Sequence, residues 1–192
     1  MSEKKLEGAG LRGQVAGKTS LSTVGKAGKG LTYRGYPIEI LSEKAKFEEV
    51  AYLLMYGALP NQNEFNEYSN KLISMRALPE SLIEVLERIP AEAHPMDVMR
   101  TGCSMLGNIE PEGDFSNQQE SADRILATMA SVIVYWYKYS HEGVKVNTET
   151  DNPTIGGHFL SLLHGKEVGE DQIRCLDLSL IHISEPTRQI VI

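Results

Sequence analysis

The chain has 192 residues, 41% of them hydrophobic and 23% charged, and a formal charge of −7. That length supports one well-cored globular domain, and the composition is ordinary for one. The acidic balance argues against non-specific nucleic-acid binding, whose main attraction is to phosphate. Positive charge is nevertheless concentrated near the start, at Lys4, Lys5, Arg12, Lys18, Lys26, Lys29 and Arg34. That stretch is either a solvated face or an aid in attracting an anionic ligand. The opening MSEKKLEG lacks an apolar run, so no secretory signal is expected. The longest apolar stretch, 125–137, is too short to cross a bilayer. Cys103 and Cys175 suggest neither a disulfide framework nor a Cys-rich metal site. A cytoplasmic protein that does not engage membranes is expected.

The only strand-like signal lies between Leu11 and Ile38. Leu21, Thr23 and Val24, then Leu31 and Tyr33, flank the turn-rich GKAGKG segment and predict a short β-hairpin. Helical periodicity follows almost throughout. Phe47, Val50, Ala51 and Leu54 mark one helix, which Gly57 is placed to end. Asn61 with Glu64 reads as a capping box for a helix carrying Phe65, Tyr68, Leu72 and Met75 inward. Pro79 suits the first turn of a third helix, with Leu82, Val85, Leu86 and Ile89 inward. Pro95 and Asp97 open a fourth, which presents Met96, Met99, Cys103 and Leu106. The small residues Thr101, Gly102 and Ser104 would let a neighbouring helix approach it closely. A surface loop is expected over 111–119. A fifth helix, Ala122 to Ser140, is apolar nearly all round at Ile125, Leu126, Met129, Val132, Ile133 and Trp136, so it must be buried on most faces. Ile155, Phe159, Leu162 and Leu163 make a sixth, with Gly156 and Gly157 at its start and Gly165 at its end. The expectation is a mainly α protein, about six helices behind a small N-terminal β-hairpin. The helices around Met99 and Met129 could form a subunit interface or simply the monomer core.

The motifs with chemical potential are weak. Gly17-Lys18-Thr19 resembles the end of a phosphate-binding loop, but Arg12 stands where that motif needs its first glycine, and Ser20 to Val24 alternate like a strand. His94, His141, His158 and His164 show no zinc-site spacing. His94 is expected to help start its helix, and His158 and His164, flanking the last helix, to be satisfied structural histidines rather than ligands. Glu48–Glu49 and Glu110–Glu112 read as solvated carboxylates. His182 and Glu185 look like an acid–base pair but lie in a suspect tail. The residues therefore define no catalytic, substrate-binding or metal site.

That tail is the oddest feature of the chain. Leu178 to Arg188 reads LSLIHISEPTR, which matches, codon for codon, the translation of a transposon adapter used in sequencing libraries. Residues 1–177 are thus expected to form the native domain portion, and 178–192 a non-native tail.

Five stretches carry a family resemblance. TVGKAGKGLTYRGYPIE (Thr23 to Glu39), FEEVAYLLMYGALP (Phe47 to Pro60) and HPMDVMRTGCSMLG (His94 to Gly107) resemble the citrate synthase family. YWYKYSHEG (Tyr135 to Gly143) and ETDNPTIGGHFLSLLHGK (Glu149 to Lys166) are similar to its bacterial 2-methylcitrate synthase branch. The resemblance implies the N-terminal half of a citrate-synthase-like large domain, in a helical homodimer that packs through the helices around Met99 and Met129. It implies an acyltransferase that condenses propionyl-CoA with oxaloacetate and hydrolyses the thioester, as part of propionate catabolism. Acetyl-CoA, the substrate of ordinary citrate synthases, is the alternative acyl donor. No cofactor or metal is implied, the acyl-CoA being a substrate. The family continues past Ile181 with a segment resembling LYAEHEFNAST, whose histidine binds oxaloacetate. In unbroken register that histidine falls at Pro186. The resemblance therefore carries over no site residue and implies an inactive fragment. A non-catalytic helical dimerisation module is the remaining alternative.

Overall fold

The structure, a computed structural model, describes residues 18–23 and 30–183. Residues 11–17, most of the GKAGKG turn and 184–192 lie outside the described residues. So do the basic positions 4, 5, 12, 26 and 29, and Glu185.

The hairpin forms with its expected partners. Strand β1 (Ser22–Thr23) pairs antiparallel with β2 (Thr32–Tyr33), in register Ser22 to Tyr33 and Thr23 to Thr32. A third short strand, β3 (Tyr36–Pro37), was not legible in the sequence. It folds back on β2 through Arg34 and Gly35, both at positive φ. Arg34 tolerates that conformation because its guanidinium is anchored on Leu54 O at 2.8 Å and Ser20 Oγ at 3.0 Å.

Eight α-helices follow among the described residues, where six were expected. The two additions are α1 (Ile38–Lys44) and α8 (Glu170–Ile183). Helix α2 (Phe47–Tyr56) ends at Gly57, whose φ of 96° is the left-handed C-cap that glycine adopts without strain. Helix α3 (Gln62–Ser74) starts with the predicted box. Asn61 Oδ1 accepts from the Asn63 and Glu64 amides, and Glu64 Oε2 accepts from the Asn61 amide. Pro79 precedes α4 (Glu80–Leu86) as its cap, one position earlier than predicted. His94 caps α5 (Pro95–Ile109), its Nδ1 accepting from the Met96 amide at 3.2 Å. The 111–119 loop contains a short 3₁₀ turn, Phe115–Asn117, and α6 starts early, running Gln118–Glu142. Helix α7 spans Ile155–His164 and stops at Gly165.

One expectation about α5 is corrected. Its fully buried residues are Val98, Gly102 and Leu106, while Met96 is 63% exposed and Met99 and Cys103 are half-buried. The helix is apolar on two faces, and a single periodic pattern could not say which one packs inward. Gly102 decides it. A Cβ there would lie 2.6 Å from Val132 Cγ1, so α5 and α6 meet at a contact only glycine permits. Together with the Glu110–Arg124 pair near the connection, this places the two helices antiparallel.

Helix α6 is the axis of the domain. Ala127 joins a cluster built from Leu31, Tyr33, Leu41, Val50, Leu53 and Leu72. Val132, Tyr135 and Trp136 join a second with Leu82, Leu86, Val98 and Leu106. Its burial is extensive, as expected, but Asp123, Thr128 and Ser131 are fully buried while Ile125 is exposed.

Two glycines of α5 make opposite predictions. Gly102→Ala should lose about 1–2 kcal/mol in urea unfolding, because overpacking outweighs the better helix propensity of alanine. Gly107→Ala meets nothing within 4 Å and should gain up to about 1 kcal/mol.

Candidate functional site

The most concentrated chemistry among the described residues is buried at the N-terminus of α7. The first turn of a helix leaves backbone N–H groups unsatisfied and carries partial positive charge. Here Thr154 Oγ1 accepts from the Gly157 amide at 2.9 Å. Glu48 Oε1, from the first turn of α2, accepts from the Ile155 amide at 2.6 Å. Glu48 is only 1% exposed, which corrects its reading as a solvated carboxylate. Its neighbours Phe47, Val50 and Ala51 are buried with it, while Glu49 beside it stays partly exposed.

Two further groups brace the loop that precedes α7. Arg76, 1% exposed, lies just beyond α3 and donates from Nη1 to Asn152 O at 2.5 Å and to Thr150 O at 3.3 Å. His158 is fully buried, with Nε2 2.9 Å from Ser131 Oγ and Nδ1 2.8 Å from Thr150 Oγ1. It is the satisfied structural histidine the sequence suggested. Asp177 of α8 completes the group at 3% exposure, its Oδ1 close enough to Gly156 that a Cβ there would sit 2.8 Å away.

Burial governs the electrostatics. It pushes the Glu48 carboxyl up to about 7, the nearby Asp177 charge adding to it, while the Ile155 amide and Arg76 oppose it. Burial also pulls Arg76 down to about 10 against the pull of Glu48. Burial and the charge of Arg76 push His158 down to about 3. Asp177 is raised by burial despite Arg174 and Lys46.

A second buried carboxylate, Asp123, ties α6 to α2 and α3. It accepts from Tyr56 Oη at 2.6 Å, Tyr68 Oη at 3.1 Å and Lys71 Nζ at 2.8 Å. Arg124 clamps Glu110 by two short bonds, at 2.8 and 2.9 Å, and reaches the Met75 and Ala77 carbonyls.

Both His158 nitrogens are engaged by hydroxyls and the ring has no access to solvent, so it cannot exchange protons with a bound molecule. His94 caps its helix, whereas His141 and His164 are exposed and far apart in the chain. His182 is exposed. No group of metal-binding residues occurs among the described residues. Nor is any helix there long and apolar enough to cross a membrane. Two open clefts lie near these groups. One, of about 400 Å³, lies between α5 and α6 beside Cys103, Leu106, Pro111, Arg124 and Ile125. The other, of about 460 Å³, is lined by Lys44, Lys46, Asn152, Thr154, Arg174 and Asp177.

The sequence family described as "Citrate synthase, C-terminal domain" matches residues 10–186, so the chain belongs to the citrate synthase family. It is 60% identical over 182 residues to the 2-methylcitrate synthase of Shewanella oneidensis, covering 95% of this chain and 48% of that one. It is 32% identical over 175 residues to citrate synthase 2 of Bacillus subtilis, covering 90% and 46%. The crystal structure of citrate synthase from Thermotoga maritima superposes with a TM-score of 0.81 at 28% identity, covering 95% and 48%. The chain thus spans about half the length of the relatives it matches.

Glu48 and His158 make opposite predictions for pH. The folded value of Glu48 lies above its ordinary 4.5, so its contribution is full at low pH and lost as pH rises through about 7. The folded value of His158 lies below its ordinary 6.5, so its contribution is full above that and lost as pH falls toward about 3. Between pH 7 and 4.5 each is worth roughly 2–3 kcal/mol, with opposite sign. Relative to the parent, Glu48→Gln should lose stability on acidification and His158→Gln should gain it, as measured by urea unfolding at both pH values.

Proposed function

We propose that this chain is the N-terminal half of the large domain of a 2-methylcitrate synthase. The whole enzyme condenses propionyl-CoA with oxaloacetate and hydrolyses the thioester to release 2-methylcitrate and CoA. The 60% identity to the Shewanella oneidensis relative carries this reading. Such chemistry needs a carboxylate base beside the thioester α-carbon, hydrogen-bond donors for the enolate and ketone oxygens, and cations for the oxaloacetate carboxylates. It needs no metal or prosthetic group, and it fits a cytoplasmic enzyme of propionate catabolism.

The chain contributes the frame for that chemistry and not its reacting groups, and alone it is inactive. The segment from Leu178 onward is adapter-derived rather than native. Leu178 to Ile183 nevertheless continue α8, with Ile181 fully buried in the first core cluster. The exposed apolar residues Met96 of α5 and Ile125 of α6 support a homodimer through the helices around Met99 and Met129.

The purified chain, given propionyl-CoA and oxaloacetate, should release no free thiol above background. It should sediment as a dimer or a larger species. Measurable turnover would contradict the first expectation, and a monodisperse monomer with a sharp melt the second.

A further inference from the structure

Phe115 is the most exposed large apolar side chain among the described residues, at 87%, and the backbone around it is built to hold it there. It sits at the tip of the connection between α5 and α6, in the 3₁₀ turn Phe115–Asn117. Asp114 Oδ1 accepts from the Ser116 amide at 2.8 Å, and Asn117 Nδ2 donates to Glu112 O at 2.8 Å. Gly113 makes the bend at a φ of 75°. A phenyl ring fixed in water adds nothing to the core of its own chain. A rigid, preorganised aromatic is instead the kind of side chain that anchors an interface.

The same chain carries a matching apolar end. Gly102 faces Val132 and Glu110 pairs with Arg124, so α5 and α6 form an antiparallel hairpin in one register. That register sets Met96 level with Tyr137 and Lys138, at the end of the hairpin opposite Phe115, and Met96 and Tyr137 are both exposed. Met129 lies near the middle of α6. A two-fold axis beside it, crossing the helices, lays the tip of one copy over the open end of the other. Charge favours this polarity over the reverse. Glu110, Glu112 and Asp114 are all exposed at the tip, so copies joined tip to tip would oppose acid to acid. The open end presents the Arg100 guanidinium and Lys145 Nζ, both largely exposed and paired only with Asp97 and Glu87.

We propose that Phe115 anchors the homodimer by inserting beside the partner's Met96 and the partner's Tyr137, a contact that the two-fold axis makes twice. The anchor rests on the homodimer of the proposed function and fixes its polarity, the tip of each hairpin lying on the open end of the other. The ring and the apolar side chains it meets leave water together, and the acidic residues around Phe115 close on the cations of the open end as a polar rim.

Sedimentation and disulfide trapping of the whole chain test the anchor. Phe115 belongs to neither core cluster, so Phe115→Ala should keep the circular dichroism of the parent. Its dimer dissociation constant should rise roughly tenfold to a hundredfold, as for a central aromatic anchor. In chains that also carry Cys103→Ser and Cys175→Ser, a Phe115→Cys chain mixed with a Met96→Cys chain should oxidise to a crosslinked dimer. Neither should crosslink alone. A monomeric parent would overturn the homodimer and the anchor together. Self-association that Phe115→Ala leaves unchanged, absence of the mixed crosslink, or crosslinking by Phe115→Cys alone would overturn the anchor and leave the homodimer standing. If the serine background fails to fold, the sedimentation comparison decides by itself.

Discussion

The hydrogen bond from the Ile155 amide to Glu48 is the contact on which the arrangement of this half-domain depends. It satisfies an N–H that the helix itself cannot, and it does so with a carboxylate buried under α2. Placing a carboxylate there is costly unless its partners are fixed. Arg76 and His158 therefore hold the 150–154 loop, and α8 closes over the same point through Asp177. Helices α2, α6, α7 and α8 meet there, so one polar knot sets the position of elements far apart in sequence.

Much of the fold was readable because local rules and burial agreed. Asn61 with Glu64, Pro95 after His94, and the glycines at 57 and 165 each mark a boundary by backbone chemistry that survives any tertiary context. Helix α1 was invisible for the opposite reason. It has seven residues, too few to declare a period, and its C-terminal carbonyls are held from a distance by Arg174. Helix α8 was missed because its later part reads as foreign sequence, although Ile181 is fully buried. On α5 the pattern was apolar on two sides, and only the steric demand at Gly102 separated the packed face from the exposed one.

The polar knot was the least legible part. A glutamate beside a phenylalanine in an amphipathic helix usually faces water, and nothing in the spacing linked Glu48 to a glycine pair a hundred residues later. Asp177 and Arg76 gave no signal of their own. Buried polar groups are decided by what the partner elements bring, and a single chain of letters does not display those partners. His158 was the exception, since a histidine just inside an apolar helix is most simply a satisfied one.

The family membership follows from the matched sequence and fold. The central claim, that the Glu48 contact anchors the half-domain, is open to one direct measurement: the exchange rate of the Ile155 amide by NMR. In the parent chain it should rank with the slowest amides of the α6 core. In Glu48→Ala it should exchange roughly ten- to a hundredfold faster, the expected effect of leaving a buried N–H unpaired. An Ile155 amide that exchanges at loop rates in the parent, or that is unchanged by the substitution, would contradict the account.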